Sequence, residues 1–295
     1  MSTEPEASIH LPAARSTVFA APEHWRSDWA ADSPLFAPLA WLTPHLPADG
    51  WPDQAAYDQL AELQADRQSR SIRFLLPDNL PDDQLYYENR IHLSGEIPTR
   101  FGNWHDFFNA AVWLTFPRSK QALNLRHIQA MKQSPHAGRG PLRDAATLLD
   151  ESGILLPYCD PELPQLLRQH NWEALFVARR AMWGKTIDAV VFGHAIYEKA
   201  LAPYIGFTAK ALPLAVTADF FRLPAAQRFA ELDSHLAKHL NDPQQLSRPG
   251  DMSPLPVLGV PGWWPANADP AFYADRDYFR PCRNSSAGHS APPNT

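Results

Sequence analysis

The chain has 295 residues, 45% hydrophobic and 20% charged, with a net charge of −6. This is ordinary globular composition, long enough to bury a sizeable core; the acidic balance argues against a general nucleic-acid binder, and without a run of about 18 apolar residues no membrane-spanning helix is expected. The 30 prolines, near twice an average usage of about 5%, are scattered through apolar sequence and predict short elements with many hard stops.

The opening residues, MSTEPEASIHLPAARSTVF, start acidic and lack a basic segment followed by an apolar one, so they do not read as a secretory signal. Residues 1–17 and 284–295 read as disordered tails around one globular domain spanning 18–283. PEHWRSDWAADSPLFAPLAWLTPHLP is broken by prolines and predicts short helical turns. WPDQAAYDQLAELQADR predicts a helix capped by Asp53, with Ala56, Leu60 and Leu63 as its apolar stripe. SIRFLLP suggests a short strand, and QLYYENRIHLSGEIPTR looks extended up to a Ser–Gly turn.

In FGNWHDFFNAAVWLTFPRSKQALNLRH, Asn103 is a good helix cap with Asp106 three positions on. Trp104, Phe107, Phe108, Ala111 and Val112 keep a 3.6-residue period, Pro117 stops that helix, and Ser119 caps the next. SPHAGRGP reads as a flexible loop, and LRDAATLLDESGILLPY as a helix ending at Gly153 followed by a short apolar run. LPQLLRQHNWEALFVARRAMW suggests a Pro-opened, interrupted helix pair. TIDAVVFGHAIYEKALAP sets Ile187, Val190, Val191, His194 and Tyr197 or Glu198 on one helical face, and PAAQRFAELDSHLAKHL predicts a strongly amphipathic helix. The aromatic, Pro-rich end should lie across the body of the domain. The expected fold is mainly α: a single compact helical domain with long Pro-rich connections and at most a small sheet or hairpin.

No GxGxxG, GxxxxGKS or GxSxG motif is present, so no nucleotide cofactor is indicated. Cys159 and Cys282 match no zinc spacing and give no disulfide framework, which makes a cytoplasmic location the expectation. Ser94, Ser119 and Cys159 have no neighbouring base in sequence, and the terminal GWWP aromatics read as core.

Two constellations carry chemistry. His105, Asp106, His127, Asp150, Glu151, His194 and Glu198 supply imidazoles and carboxylates, the groups used both for acid–base work and for divalent metals. His194 and Glu198 stand four apart, so both can leave one helix face. If a metal is bound, the expected ligands are His105, His127, His194 and Glu198. The second constellation is basic: between Arg90 and Arg143 eight bases face only two acids, Glu96 and Asp106. A helix N-terminus at FPRSK beside Arg118 and Lys120 suits an anion, and Arg100, Ser119, Arg126 and Arg143 could join it. The plain structural alternative is that Asn103, Asp106 and Ser119 are caps, His194 is a core histidine, and the cations pair with acids elsewhere in the fold.

The expected function is therefore an enzyme, a hydrolase or group transferase, binding a small anionic substrate at the 103–127 helical hairpin. His105 would be its acid–base, Asp106 or Glu198 the orienter, and Arg100, Arg118, Ser119, Lys120 and Arg126 the anion site, with Asn103, Asn109, Asn124, His127, Asp150 and His194 as further lining. Two rivals are an interaction protein whose basic face docks an acidic partner or RNA, and a metal-dependent hydrolase or oxygenase. The oligomeric state is open.

IPTRFGNWHDFFNAAVWLTFPRSKQALNLRH resembles a bacterial family known only as domain of unknown function 3025. RDAATLLDESG, FGHAIYEKAL and VPGWWPAN resemble the same family in the same order, over about residues 30 to 280. The resemblance implies a soluble single-domain bacterial protein and no particular chemistry.

Overall fold

The computed structural model describes residues 20–64, 71–133 and 140–282. The expected tails, the last residues of the first expected helix and most of the expected SPHAGRGP loop lie outside these described residues.

Short 3₁₀ turns occupy Trp29–Ala31, Pro34–Phe36 and Ala40–His45, as the proline spacing predicts. Helix α1 (Gln54–Gln64) is capped by Asp53, which accepts from the Ala56 N–H at 2.9 Å. Its buried residues are Tyr57, Leu60 and Gln64, while Leu63 is 47% exposed, so the stripe is rotated from the expected one. Strands β1 (Arg73–Leu75) and β2 (Glu96–Pro98) pair in parallel. Between them, where extended chain was expected, lies helix α2 (Tyr87–Ser94), closed by Gly95 in the left-handed region at φ 74°. That conformation is one glycine adopts freely.

Helix α3 (Trp104–Thr115) starts at Asn103, whose side chain accepts from the Asp106 N–H at 3.0 Å. It is buried on nearly every side, with Trp104, Phe107 and Phe108 packed among Trp25, Trp29, Phe36 and Tyr197. Rings at these spacings exclude water from the core and gain edge and offset-stacking contacts. Helix α4 (Pro117–Gln133) follows at once, with Pro117 at its first position, where no N–H is missed. Helix α5 (Pro141–Ser152) leads directly into β3 (Gly153–Tyr158). Helix α6 (Glu162–Arg168) and a π-helical segment at Glu173–Ala178 form the interrupted pair, broken near His170 at φ 54°.

The expectation of a helical domain with at most a small sheet or hairpin is corrected here. A four-stranded sheet runs in the order β4 (Val190–Val191), β3, β5 (Thr208–Ala215), β6 (Ser253–Pro256), in addition to the β1–β2 pair. β3 and β5 are parallel, with Ile154 against Ala211 and Leu155 against Leu212, and the two outer strands are antiparallel. The fold is mixed α/β with helix predominant. The sheet hides in sequence because β3 is buried along nearly its whole length and shows no alternation. Its prolines also read as breakers. Pro157 and Pro213 lie beyond the stretches paired by β4 and β6, and Pro254 and Pro256 sit on an edge strand, where a missing N–H is tolerated. Val190 and Val191 are therefore strand, and helix α7 (His194–Ala200) begins only after them.

Helix α8 (Ala225–Asn241) is amphipathic as expected, packs on α4 and buries Leu232, Leu236 and Leu240. The C-terminal segment crosses the body in short 3₁₀ turns and buries Tyr273, Tyr278 and Phe279. No helix among the described residues is long and apolar enough to cross a membrane.

Candidate metal centre

Helices α2, α3, α4, α5 and α7 surround a cavity of about 450 Å³, a size suited to a small molecule. α3 contributes His105, Asp106 and Asn109, and α5 contributes Arg143, Thr147, Asp150 and Glu151. Tyr87 and Glu88 come from α2, His127 from α4 and His194 from α7.

The chain is brought together at this point by a close glycine contact. Gly193 donates its N–H to the Gly153 carbonyl at 2.8 Å, and a Cβ on Gly193 would stand 2.4 Å from the Gly153 nitrogen. Only glycine allows that approach. It sets His194, the first residue of α7, against Glu151 at the end of α5.

His105, Glu151 and His194 form a group that could hold a metal ion. Their facing atoms are His105 Nε2, His194 Nε2 and Glu151 Oε2, with separations of 3.0, 3.6 and 3.8 Å. A point equidistant from all three lies about 2 Å from each, the length of a zinc bond to imidazole or carboxylate. Behind His105, Glu198 Oε2 lies 2.9 Å from Nδ1. A carboxylate on the far nitrogen is the usual support of a metal-bound histidine, because it fixes the tautomer and the ring orientation.

The electrostatics follow from burial and partners. The hydrogen bond to Glu198 holds the His105 imidazole above its ordinary range, against the effect of burial. Burial pushes His194 down to about 3, so its ring is neutral and can offer a lone pair. Burial raises Glu151, with His105 opposing. Burial works against the charge on Asp150, but Lys120, His194 and His127 together outweigh it and hold that carboxyl below its ordinary range. Lys120 is buried, bonds Asp150 and donates to Asn109 Oδ1 at 2.9 Å, which in turn donates to the Tyr87 hydroxyl at 2.9 Å.

The expected residues divide into three groups. His105 and His194 converge, with Glu198 behind His105 and Asp150 beside His194 Nδ1 at 3.9 Å. His127 lines the cavity but is not part of the ligand group; Glu151 stands in the place expected for it. Asn124 donates to Glu88 Oε2 at 2.6 Å, and Asn103 remains a cap. Asp106 does not reach His105's ring nitrogens; it accepts from the Arg100 backbone at 2.7 Å and from its guanidinium.

The residues expected to form an anion site are not brought together in one place. The N–H groups of Arg118 and Ser119 at the start of α4 already hold a carboxylate, that of Asp233 on α8, at 3.2 and 2.8 Å. Ser119 is buried at the α4–α8 contact and its hydroxyl donates to the Asp233 carbonyl, so it is not a cap. The Arg118 guanidinium is exposed and bonds the Ser234 hydroxyl. Arg126 is buried and donates to the carbonyls of Leu240, Asp242 and Leu246 at the end of α8. None of these three residues lines the cavity, because all three turn towards α8. Of the expected anion-binding residues Arg100 and Arg143 do, and the Arg100 guanidinium is bound to Asp106.

Tyr87 and Glu88 were missed because their segment looked extended. The helical spacing of Tyr87, Arg90 and Ile91, closed by Gly95, was the signal that could have found them.

No curated protein and no solved structure matches the chain. The resemblance noted in the sequence extends across the site, since residues 72–283 match the family described as Protein of unknown function (DUF3025), and the chain belongs to that family.

Proposed function

We propose that this protein is a divalent-metal-dependent hydrolase whose ion is held by His105 Nε2, His194 Nε2 and a Glu151 carboxylate oxygen. The observation that carries this reading is the triangle of those three atoms, with a common point about 2 Å from each. Two histidines and a glutamate leave further coordination positions for water and for the substrate carbonyl.

Acid–base use of His105 is less well supported. Its Nδ1 faces Glu198 and its Nε2 faces His194, so neither nitrogen is directed at a substrate. A bound ion between the two Nε2 atoms gives both imidazoles a purpose. The chemistry such an ion would supply is a bound water acidified to a pKa of about 7 and polarisation of a carbonyl. Among the carboxylates on the cavity wall, Asp106 is tied to Arg100, Asp150 to Lys120, and Glu151 faces the imidazoles. Glu88, whose Oε2 accepts from Asn124, is the remaining wall carboxylate and would accept the proton of the attacking water and return it to the leaving group. Burial raises its carboxyl, which suits a general base.

The test is elemental analysis of purified protein, followed by hydrolysis of p-nitrophenyl acetate before and after chelation. The expected result is about one equivalent of zinc, loss of hydrolysis on chelation and recovery on adding zinc back. Less than about a tenth of an equivalent of any transition metal, with no gain on reconstitution, overturns the reading.

A further inference from the structure

We infer that the substrate is an elongated acyl compound carrying a carboxylate or phosphate at the end remote from the metal, and that Arg143 with Tyr86 binds that oxyanion. This rests on the metal reading above and names its substrate class.

The first observation is a stripe along α5. Arg143, Thr147, Asp150 and Glu151 all line the cavity, at spacings of four, seven and eight, which places them on one helical face. The stripe has Glu151 of the metal group at one end and Arg143 at the other. Eight residues of helix separate the two by about 12 Å along the axis. Helical side chains lean towards the N-terminus, which carries the Arg143 guanidinium further from the metal group. The cavity is therefore long, with a cation at one end and the metal ligands at the other.

The second observation is the state of Arg143. His105 faces Glu198, His194 faces Glu151 and Asp150, His127 interacts with Glu88, and Arg100 is doubly bound to Asp106. Unlike Arg100, the other arginine of the lining, Arg143 bonds a neutral group among the described residues, donating to the Tyr86 hydroxyl at 2.8 Å. Its Cζ lies 6.0 Å from the centre of the Tyr86 ring. A guanidinium presents five N–H donors in a planar fork that fits two oxygens of a carboxylate or phosphate. The Tyr86 hydroxyl accepts from Arg143 and keeps its own proton to donate to the same anion. Tyr86 is 50% exposed, so this end of the cavity is open to an arriving ligand.

The cavity lining also includes Pro77, Leu80 and Pro98. Apolar surface there suits a carbon spacer between the oxyanion and the scissile acyl group, held at the metal.

The test uses the zinc-loaded full chain and titration calorimetry with octanoate, suberate and the ω-phosphonate of the same chain length. Octanoate and suberate differ only in the second carboxylate. The expected result is binding of suberate, the phosphonate or both at least about tenfold tighter than octanoate, the range for a charge-assisted pair. The tighter of the two identifies the oxyanion as carboxylate or phosphate. Arg143→Gln should remove that preference, and Arg143→Lys should keep part of it. If zinc binds but neither dianion is preferred, or Arg143→Gln leaves the preference intact, this inference falls and the metal reading stands. If zinc does not bind, both fall.

Discussion

His105 and His194 meet nitrogen to nitrogen, Nε2 to Nε2 at 3.0 Å, with their rings crossed at 76°. They come from helices α3 and α7, far apart in sequence, and only the packing of those helices brings them together. The proposed metal dependence follows from this pair. His105→Ala and His194→Ala should each abolish stoichiometric zinc. Glu198→Gln keeps all three ligands and should weaken zinc by about 10- to 100-fold, because it removes the carboxylate behind His105. Competition against a fluorescent chelator reads both effects, and a Glu198→Gln variant with unchanged affinity would show that the carboxylate does not support the ring.

Gly193 controls how closely α7 approaches the α5–β3 junction. Gly193→Ala puts a methyl within 2.4 Å of the Gly153 nitrogen, so the backbone must move. A loss of about 1–3 kcal/mol in urea denaturation is expected, the usual cost of overpacking. Zinc affinity should fall with it, since His194 is the next residue. Full affinity in a folded Gly193→Ala protein would mean that the contact does not position His194.

Asp233 anchors the start of α4 from α8. Asp233→Ala leaves the N–H of buried Ser119 without its acceptor and should cost about 1–3 kcal/mol. Arg118→Ala, at an exposed side chain, should change stability by no more than about 0.5 kcal/mol. Neither variant should alter zinc stoichiometry. Equal effects of the two on thermal unfolding would argue against the intramolecular carboxylate as the ligand of that helix end.

Lys120 neutralises Asp150 in the interior. Lys120→Met leaves the carboxylate without its cation and should cost about 3 kcal/mol, as breaking a buried pair does. Adding Asp150→Asn should restore part of the loss, because the uncompensated charge goes with it. A double-mutant cycle with no coupling would refute the pair.

Glu96 gives a pH-dependent contribution. Burial opposes its charge, but Arg90, Ser94 and Arg73 together outweigh burial and hold its carboxyl below the ordinary range, with the arginine contacts at 3.0 and 2.6 Å. A lowered folded pKa means the folded state binds fewer protons than the unfolded chain. The stabilisation is therefore complete above about pH 5 and fades as pH falls through the ordinary glutamate range near 4.3. Glu96→Gln should lower the urea midpoint at pH 7 and converge on the parent protein near pH 3. A gap that widens with acid would contradict the assignment.

The sequence by itself determined what local chemistry controls. Asn103 and Asp53 cap their helices, Gly153 ends α5, and α8 is amphipathic, because caps and 3.6-residue periods need only neighbours in the chain. It also supplied the histidines and carboxylates from which the candidate site is built. The tertiary structure decided the rest. Asp150 and Glu151 are adjacent and alike in sequence, yet one faces Lys120 and the other the two imidazoles, a choice set by the packing of α5 against α4 and α7. The basic segment looked like a single anion site, but Arg118 and Arg126 turn to α8 while Arg143 turns to the cavity. The sheet stayed hidden because strand pairing is a long-range contact: Gly153 meets Lys210 across 57 positions of sequence, and nothing local records it.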